Sequence, residues 1–91
     1  MLKIDPSAQA RKFLKRVPAK HARQLYRKLT QLRHDPRPQD SKQLKGKSSD
    51  YLRADVGEYR IIYRVEGATL YVYVVGKRND ADVYRRLERL R

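Results

Sequence analysis

The residues of this chain that could carry chemistry are arginines, lysines and one tyrosine. Arg53 and Arg60 precede the pair Lys77-Arg78, and Tyr84 follows Arg78 after six residues. Cleavage of RNA by its own 2′-hydroxyl requires a base for the hydroxyl proton, cations for the charge that develops on phosphorus, and an acid for the leaving oxygen. Because neighbouring cations favour the phenolate form of tyrosine, these residues are a candidate set for phosphodiester cleavage.

Each of these residues also has a simpler interpretation. Arginines on an exposed strand face are commonly only solvated, and a lone tyrosine such as Tyr84 is more often a partly buried helix residue with its hydroxyl in water. The residue types and their spacing therefore predict a basic α+β domain that binds nucleic acid, and they leave open whether it is an enzyme.

The charge balance points to a polyanionic partner. The 91 residues include 23 lysines and arginines against 10 acidic residues, a net charge of +13. Such a field binds phosphate backbones, although RNA, DNA, an acidic protein and an anionic membrane all satisfy it. The length indicates a single domain, residues 1–91. The absence of cysteine excludes disulfides, and with only His21 and His34 we expect no metal and no cofactor.

The distribution of apolar residues predicts a cytoplasmic protein without a membrane partner. The longest apolar stretch, Leu70 to Val75, is far shorter than the ~20 residues that span a bilayer. The N-terminal segment lacks the apolar region and the cleavage site of a signal peptide.

The first part of the chain has the periodicity of helices. Asp5 is predicted to cap a first helix with Pro6 at its first position, and Pro18 ends that helix. A second helix is predicted from about Ala19 to His34. Its apolar stripe consists of Ala22, Leu25, Tyr26, Leu29 and Leu32.

The rest of the chain changes to the period of strands. Strands are predicted at Tyr51 to Val56, Tyr59 to Val65 and Thr69 to Val75, with turns at Gly57-Glu58 and Gly67-Ala68. A last helix is predicted from Ala81 to about Leu90. Two-residue turns pair Asp55 with Arg60 and Arg53 with Ile62, and then Tyr63 with Val72, Ile61 with Val74 and Arg60 with Val75.

This register gives the predicted sheet two chemically different faces. The core face, under the helices, consists of Leu52, Ala54, Val56, Tyr59, Ile61, Tyr63, Val65, Leu70, Val72 and Val74. The opposite face interleaves cations and aromatic rings: Arg53, Asp55, Arg60, Ile62, Arg64, Tyr71, Tyr73, Val75 and Lys77. On it Arg53, Arg60 and Lys77 are expected to converge.

Three segments of the sequence resemble the RelE/ParE superfamily of toxins. They are Leu44-Lys45-Gly46, the run from Arg53 to Tyr63 (RADVGEYRIIY), and the run from Val75 to Tyr84 (VGKRNDADVY). The resemblance covers nearly the whole chain. It implies a RelE-like α+β fold, in which two N-terminal helices pack on an antiparallel sheet made of the three-strand meander and a short N-terminal strand, followed by the short C-terminal helix.

The same resemblance implies an activity and its residues. A RelE-type toxin is a metal-independent endoribonuclease that cuts mRNA in the ribosomal A site. Arg60, Arg78 and Arg53 match functional basic positions of that family, and Tyr84 matches its general base. Lys77, Lys45 and Arg64 are the phosphate-binding candidates. Asp55 departs from the pattern, because many relatives have a basic residue there; its pairing with Arg60 either weakens the cluster or holds Arg60 in place.

The resemblance also implies partners. They are a cognate antitoxin, the 70S ribosome with its mRNA, and operator DNA reached only through the antitoxin complex. The antitoxin contact is expected at Ile62, Tyr71 and Tyr73. Two other functions fit the same sequence: a ParE-like inhibitor of DNA gyrase, and an RNA- or ribosome-binding domain without catalysis.

Overall fold

A computed structural model describes residues 1–44 and 51–79 of the chain. Its elements follow in the order β1 (Lys3–Pro6), α1 (Ala8–Arg16), α2 (Ala19–His34), β2 (Lys42–Gln43), β3 (Leu52–Val56), β4 (Tyr59–Glu66) and β5 (Thr69–Lys77). The strands form one sheet in the order β1-β5-β4-β3-β2. The predicted C-terminal helix lies outside the described residues.

The sheet confirms the α+β architecture and adds one strand to it. The meander β3-β4-β5 is antiparallel, as predicted. The short N-terminal strand β1 pairs with β5 in parallel, so the sheet is mixed rather than antiparallel throughout. Strand β2, which pairs Lys42 with Arg53, was not predicted. A two-residue strand carries too little periodic signal to be found in a sequence.

The first helix starts later than predicted. Asp5 and Pro6 belong to β1, where proline is tolerated because an edge position needs no inward N–H. The cap is Ser7, whose Oγ accepts a hydrogen bond from the Ala10 amide at 3.1 Å. Pro18 then ends α1, because the residue before a proline disfavours helical backbone and Val17 is extended.

The second helix has the predicted bounds, Ala19–His34. Its buried residues Leu25, Leu29 and Leu32 form one stripe that faces the sheet. Tyr26, predicted on that stripe, is 54% exposed, because it is displaced by about 100° from Leu25 around the helix. No helix in the described ranges is long and apolar enough to cross a membrane.

The core lies between the helices and one face of the sheet. Leu14 and the α2 stripe pack against the sheet residues Leu52, Ala54, Tyr59, Ile61, Tyr63, Leu70, Val72 and Val75. This set matches the predicted core face with one exchange. Val75 is in the core, whereas Val74, predicted there, belongs to a second cluster on the opposite face with Tyr51 and Ile62.

The exchange results from a β-bulge. The β3–β4 register is the predicted one throughout. The β4–β5 register is correct as far as Tyr63–Val72 and then shifts, so that Ile62 pairs with Val74 and Ile61 with Val75. Tyr73 is the extra residue on β5. A bulge changes the alternation of a strand by one position, and no turn signal announces it.

Polar side chains from the start of α1 hold the bulged part of β5. Ser7 Oγ donates to the Tyr73 carbonyl at 2.6 Å. The Gln9 amide bonds both backbone groups of Val75, accepting from its N–H at 3.1 Å and donating to its carbonyl at 3.0 Å. β1 ends opposite Val72, so these side chains replace the missing neighbouring strand.

Candidate phosphate-binding site

An ion pair between adjacent strands lies at the centre of the candidate site. Asp55 on β3 pairs directly with Arg60 on β4. Arg60 donates twice, from Nε to Asp55 Oδ1 at 2.7 Å and from Nη2 to Oδ2 at 3.3 Å. The Arg60 side chain is only 12% exposed. The pairing suggested by the sequence is therefore a forked, partly buried one that fixes the plane of the guanidinium.

Two further arginines act on the same carboxylate. The hydrogen bond from Arg60 is the largest cause that lowers the pKa of Asp55, and the charges of Arg60, Arg53 and Arg78 lower it further against the opposing effect of burial. The charges of three arginines thus act on one carboxylate. The group formed by Arg53, Asp55, Arg60 and Arg78 is called the arginine cluster below.

Strand pairing and a turn bring Arg78 to the cluster. The Arg78 amide donates to the Glu58 carbonyl at 2.8 Å, which ties the end of β5 to the β3–β4 turn. A hollow of about 220 Å³ opens there, lined by Gly57, Glu58, Lys77, Arg78 and Asn79. An anion could approach Arg78 from this side.

Lys77 is not where the sequence register placed it. Because of the bulge it pairs with Tyr59, a residue of the helix-covered face, while Gly76 is the residue opposite Arg60. Because Gly76 lies opposite Arg60 and side chains alternate along a strand, Arg78 falls on the face of Arg60, and its charge acts on Asp55. The predicted convergence of Arg53, Arg60 and Lys77 was therefore wrong in its third member, whose place Arg78 takes.

The second cluster, on the face that carries the arginine cluster, separates Arg64 from the site. Arg64 lies four residues along β4 from Arg60, roughly 13 Å at the rise of a strand. It forms an ion pair with Glu66, and its guanidinium lies 5.8 Å from the ring centre of Tyr51. The structure thus places Arg64 with aromatic rings and away from the arginine cluster.

The three residues predicted to contact a partner protein differ in accessibility. Ile62 is fully buried, because the bulge sets Val74 opposite it and Tyr51 closes the cluster. Ile62 therefore offers no exposed surface in this structure, and its predicted antitoxin contact stays a prediction. Tyr71 and Tyr73 are partly exposed, and Tyr73 meets Tyr51 edge to face at 4.9 Å between ring centres. Burial raises the pKa of Tyr73.

Lys42 was not among the cations predicted for this site. Lys42 on β2 lies directly opposite Arg53 and therefore shares its face. Like charges opposite each other destabilise a sheet, so this pair favours a site that binds an anion. Lys45 and Tyr84, two predicted site residues, lie outside the described residues. Among the described ones, no group of three or more histidines or acidic residues could hold a metal ion.

His21 links the second helix to the sheet. It is partly buried, with Nδ1 2.7 Å from the Tyr59 hydroxyl and the two rings edge to face. The contact joins α2 to the first residue of β4, next to the turn on which the arginine cluster depends. A lone histidine on a polar helix face gives no sequence signal for such a contact.

The sequence of the chain matches a known protein family. Residues 4–82 match the family described as ParE toxin of type II toxin-antitoxin system, parDE. The chain belongs to this family. The match spans the helices, the sheet and the arginine cluster, and it confirms the superfamily that the sequence motifs indicated.

Solved structures of related toxins have the same fold as this ParE-family chain. A double mutant of Escherichia coli RelE in the free state is 24% identical, covers 99% of this chain and 98% of its own, and superposes with a TM-score of 0.81. The archaeal RelE–RelB complex from Pyrococcus horikoshii OT3 is 27% identical over 88% and 98%, with a TM-score of 0.75. The YoeB/ParE toxin from Agrobacterium tumefaciens is 20% identical over 84% and 98%, with a TM-score of 0.72. No curated protein matches the sequence.

Proposed function

We propose that this ParE-family toxin is an endoribonuclease that cuts mRNA in the ribosomal A site by attack of the 2′-hydroxyl, and so stops translation. The observation that carries the proposal is the fork between Arg60 and Asp55 on a sheet face where the charges of Arg53 and Arg78 also act on that carboxylate. A phosphodiester that enters this cluster gains charge as it reacts, and fixed guanidinium groups stabilise that charge.

The roles proposed for the residues follow from their places. Arg60 and Arg78 stabilise the reacting phosphate, and Arg53 binds it with the adjacent Lys42. Tyr84, outside the described residues, is proposed as the base that takes the 2′-hydroxyl proton, on the strength of the sequence motif alone. Lys77 and Lys45 are proposed to hold neighbouring phosphates. No metal is required, because the guanidinium groups supply the positive charge that attack by the 2′-hydroxyl needs.

The partners proposed for the toxin are a cognate antitoxin, the 70S ribosome with its mRNA, and operator DNA through the antitoxin complex, all in the cytoplasm. Two observations support the antitoxin. The matched family belongs to toxin-antitoxin systems, and the archaeal relative was solved as a RelE–RelB complex. Tyr71 and Tyr73 remain the proposed contacts on this face.

Primer extension on a defined mRNA tests the nuclease directly. We expect cuts within the A-site codon when the purified toxin meets programmed ribosomes, none on free RNA, and the same cuts in the presence of a chelator. Arg78→Ala and Tyr84→Phe should abolish them. Arg23→Ala, which removes one exposed cation of α2, is the matched control and should cut normally. Intact mRNA with folded wild-type protein would refute the proposal.

A second function has one observation in its favour. The family that matches is named for ParE and the parDE pair, and the sequence analysis left inhibition of DNA gyrase open. A gyrase inhibitor would lower supercoiling in a purified assay and leave mRNA intact. Arg78→Ala and Tyr84→Phe would then change toxicity little, so the two assays run on the same variants separate the two functions.

A further inference from the structure

The most specific contact of the arginine cluster is one that the proposed chemistry does not use. A phosphate site built only to attract RNA would contain no carboxylate. Yet Asp55 accepts hydrogen bonds from both Nε and Nη2 of Arg60, and the charges of Arg53 and Arg78 also act on its carboxylate. The sequence alone left open whether Asp55 weakens the cluster or holds Arg60 in place, and the geometry favours the second role.

We propose that Asp55 is a positioning residue that fixes the guanidinium of Arg60 for the phosphodiester. This inference rests on the proposed nuclease function. In this role Asp55 acts on RNA only through Arg60.

The two hydrogen bonds between Arg60 and Asp55 fix the orientation of the guanidinium. Two hydrogen bonds from one guanidinium to one carboxylate set the plane and the direction of the group, whereas a single bond leaves it free to rotate. Asp55 and Arg60 are also cross-strand partners on β3 and β4. Both ends of the contact are therefore anchored in the sheet, and the geometry does not depend on a loop.

Arg60 and Asp55 differ in their exposure to solvent. The Arg60 side chain is 12% exposed and that of Asp55 40% exposed. A carboxylate that only competed with substrate would leave Arg60 mobile once displaced by phosphate. Here the arginine is the enclosed partner, so the ion pair is part of the wall of the site.

The arginine cluster keeps a positive net charge although it contains Asp55. Three guanidinium groups and one carboxylate leave a net charge of about +2 at the cluster, enough to attract a phosphodiester. Asp55 therefore reduces attraction without abolishing it. A misplaced catalytic group costs on the order of 10²-fold in rate, so the loss of some attraction is offset when Arg60 is held in position.

Steady-state kinetics on Asp55→Asn test the inference. Asparagine has nearly the same shape but offers one acceptor oxygen instead of two. We expect kcat to fall by on the order of 10-fold to 10²-fold, while KM for programmed ribosomes stays the same or falls because a negative charge is lost. A structural defect would instead lower the fraction of folded, active protein, and that fraction is measured on the same sample.

A double-mutant cycle shows whether Asp55 acts through Arg60. In the Arg60→Ala background, Asp55→Asn should have no further effect on kcat. Cleavage by Asp55→Asn as fast as that of the wild type or faster would overturn the inference, since Asp55 would then only compete with phosphate. Equal losses in both backgrounds would overturn it too. Failure of the wild type to cleave is a different result, which refutes the nuclease itself.

Discussion

Arg60 and Arg64 lie on one strand, on one face and four residues apart, and each has an acidic partner. Arg60 is held by Asp55 across the strands, in a fork that is mostly enclosed. Arg64 is paired with Glu66 on its own strand, and that glutamate is 62% exposed. The surroundings differ as well, because the charges of Arg53 and Arg78 act on the carboxylate that holds Arg60, whereas the guanidinium of Arg64 lies over the ring of Tyr51.

The difference shows that position along the strand, more than charge, decides what an arginine does here. Arg60 lies opposite the end of β5, where Arg78 is tied to the β3–β4 turn. Arg64 lies opposite Tyr71, where aromatic rings fill the face. An exposed ion pair such as that of Arg64 contributes little to stability, and its guanidinium is suited to packing on a ring.

The largest expected effect compares these two arginines directly. Arg60→Ala should lower ribosome-dependent cleavage by about 10²- to 10³-fold, the usual loss when one group that stabilises transition-state charge is removed. Arg64→Ala removes the same charge and should change the rate less than about threefold. Initial rates on programmed ribosomes measure both. A similar loss in the two variants would mean that net charge, and not the cluster, drives the reaction.

A stability measurement tests the packing of Ile62, which lies between Arg60 and Arg64 on β4. Ile62 is fully buried, so Ile62→Ala should reduce the free energy of unfolding by about 2–5 kcal/mol. Tyr71→Ala, on the partly exposed part of the same face, should cost clearly less. Urea denaturation gives both values. If Ile62→Ala were neutral, the second cluster would not be a packed core.

The two turns offer a smaller and symmetrical test. Gly57 lies at the Arg60 end and Gly67 at the Arg64 end, with φ of 56° and 59°. An added Cβ would meet only Gln24 Oε1 at 3.5 Å at Gly57, and nothing within 4 Å at Gly67. Alanine at either position should therefore cost about 1–2 kcal/mol from backbone strain alone. We expect similar losses of melting temperature but slower cleavage only for Gly57→Ala.

The smallest expected effect is on acid stability. Arg60 and its neighbours hold the pKa of Asp55 below its ordinary value of 3.8. The stability that this provides is present above pH 3.8 and is lost as the pH falls through the lowered folded value. Asp55→Asn should lack this part of the acid transition, and circular dichroism during acid titration measures it. Glu66→Gln, at the exposed pair, should leave the transition almost unchanged.

Much of the fold and part of the site followed from the sequence. The α2 bounds, both turns and the β3–β4 register were confirmed, because helical period and paired turn residues are local signals. Val74, Val75 and Lys77 were misplaced for one shared reason, the bulge. A change of register inside a strand is decided by what packs on both faces and by Ser7 and Gln9, which are distant in sequence.

The bulge at Tyr73 also makes the length of β5 a determinant of the chemistry. In a strand of strict alternation, Lys77 would turn toward Asp55 and Arg78 away from it. One extra residue inverts that parity and presents a planar, forked donor in place of a point charge, two groups that bind phosphate differently. A change of register that removed the bulge without any change of sequence, so that Tyr73 paired with Ile62 and Val75 with Arg60, would thus exchange arginine for lysine at the cluster.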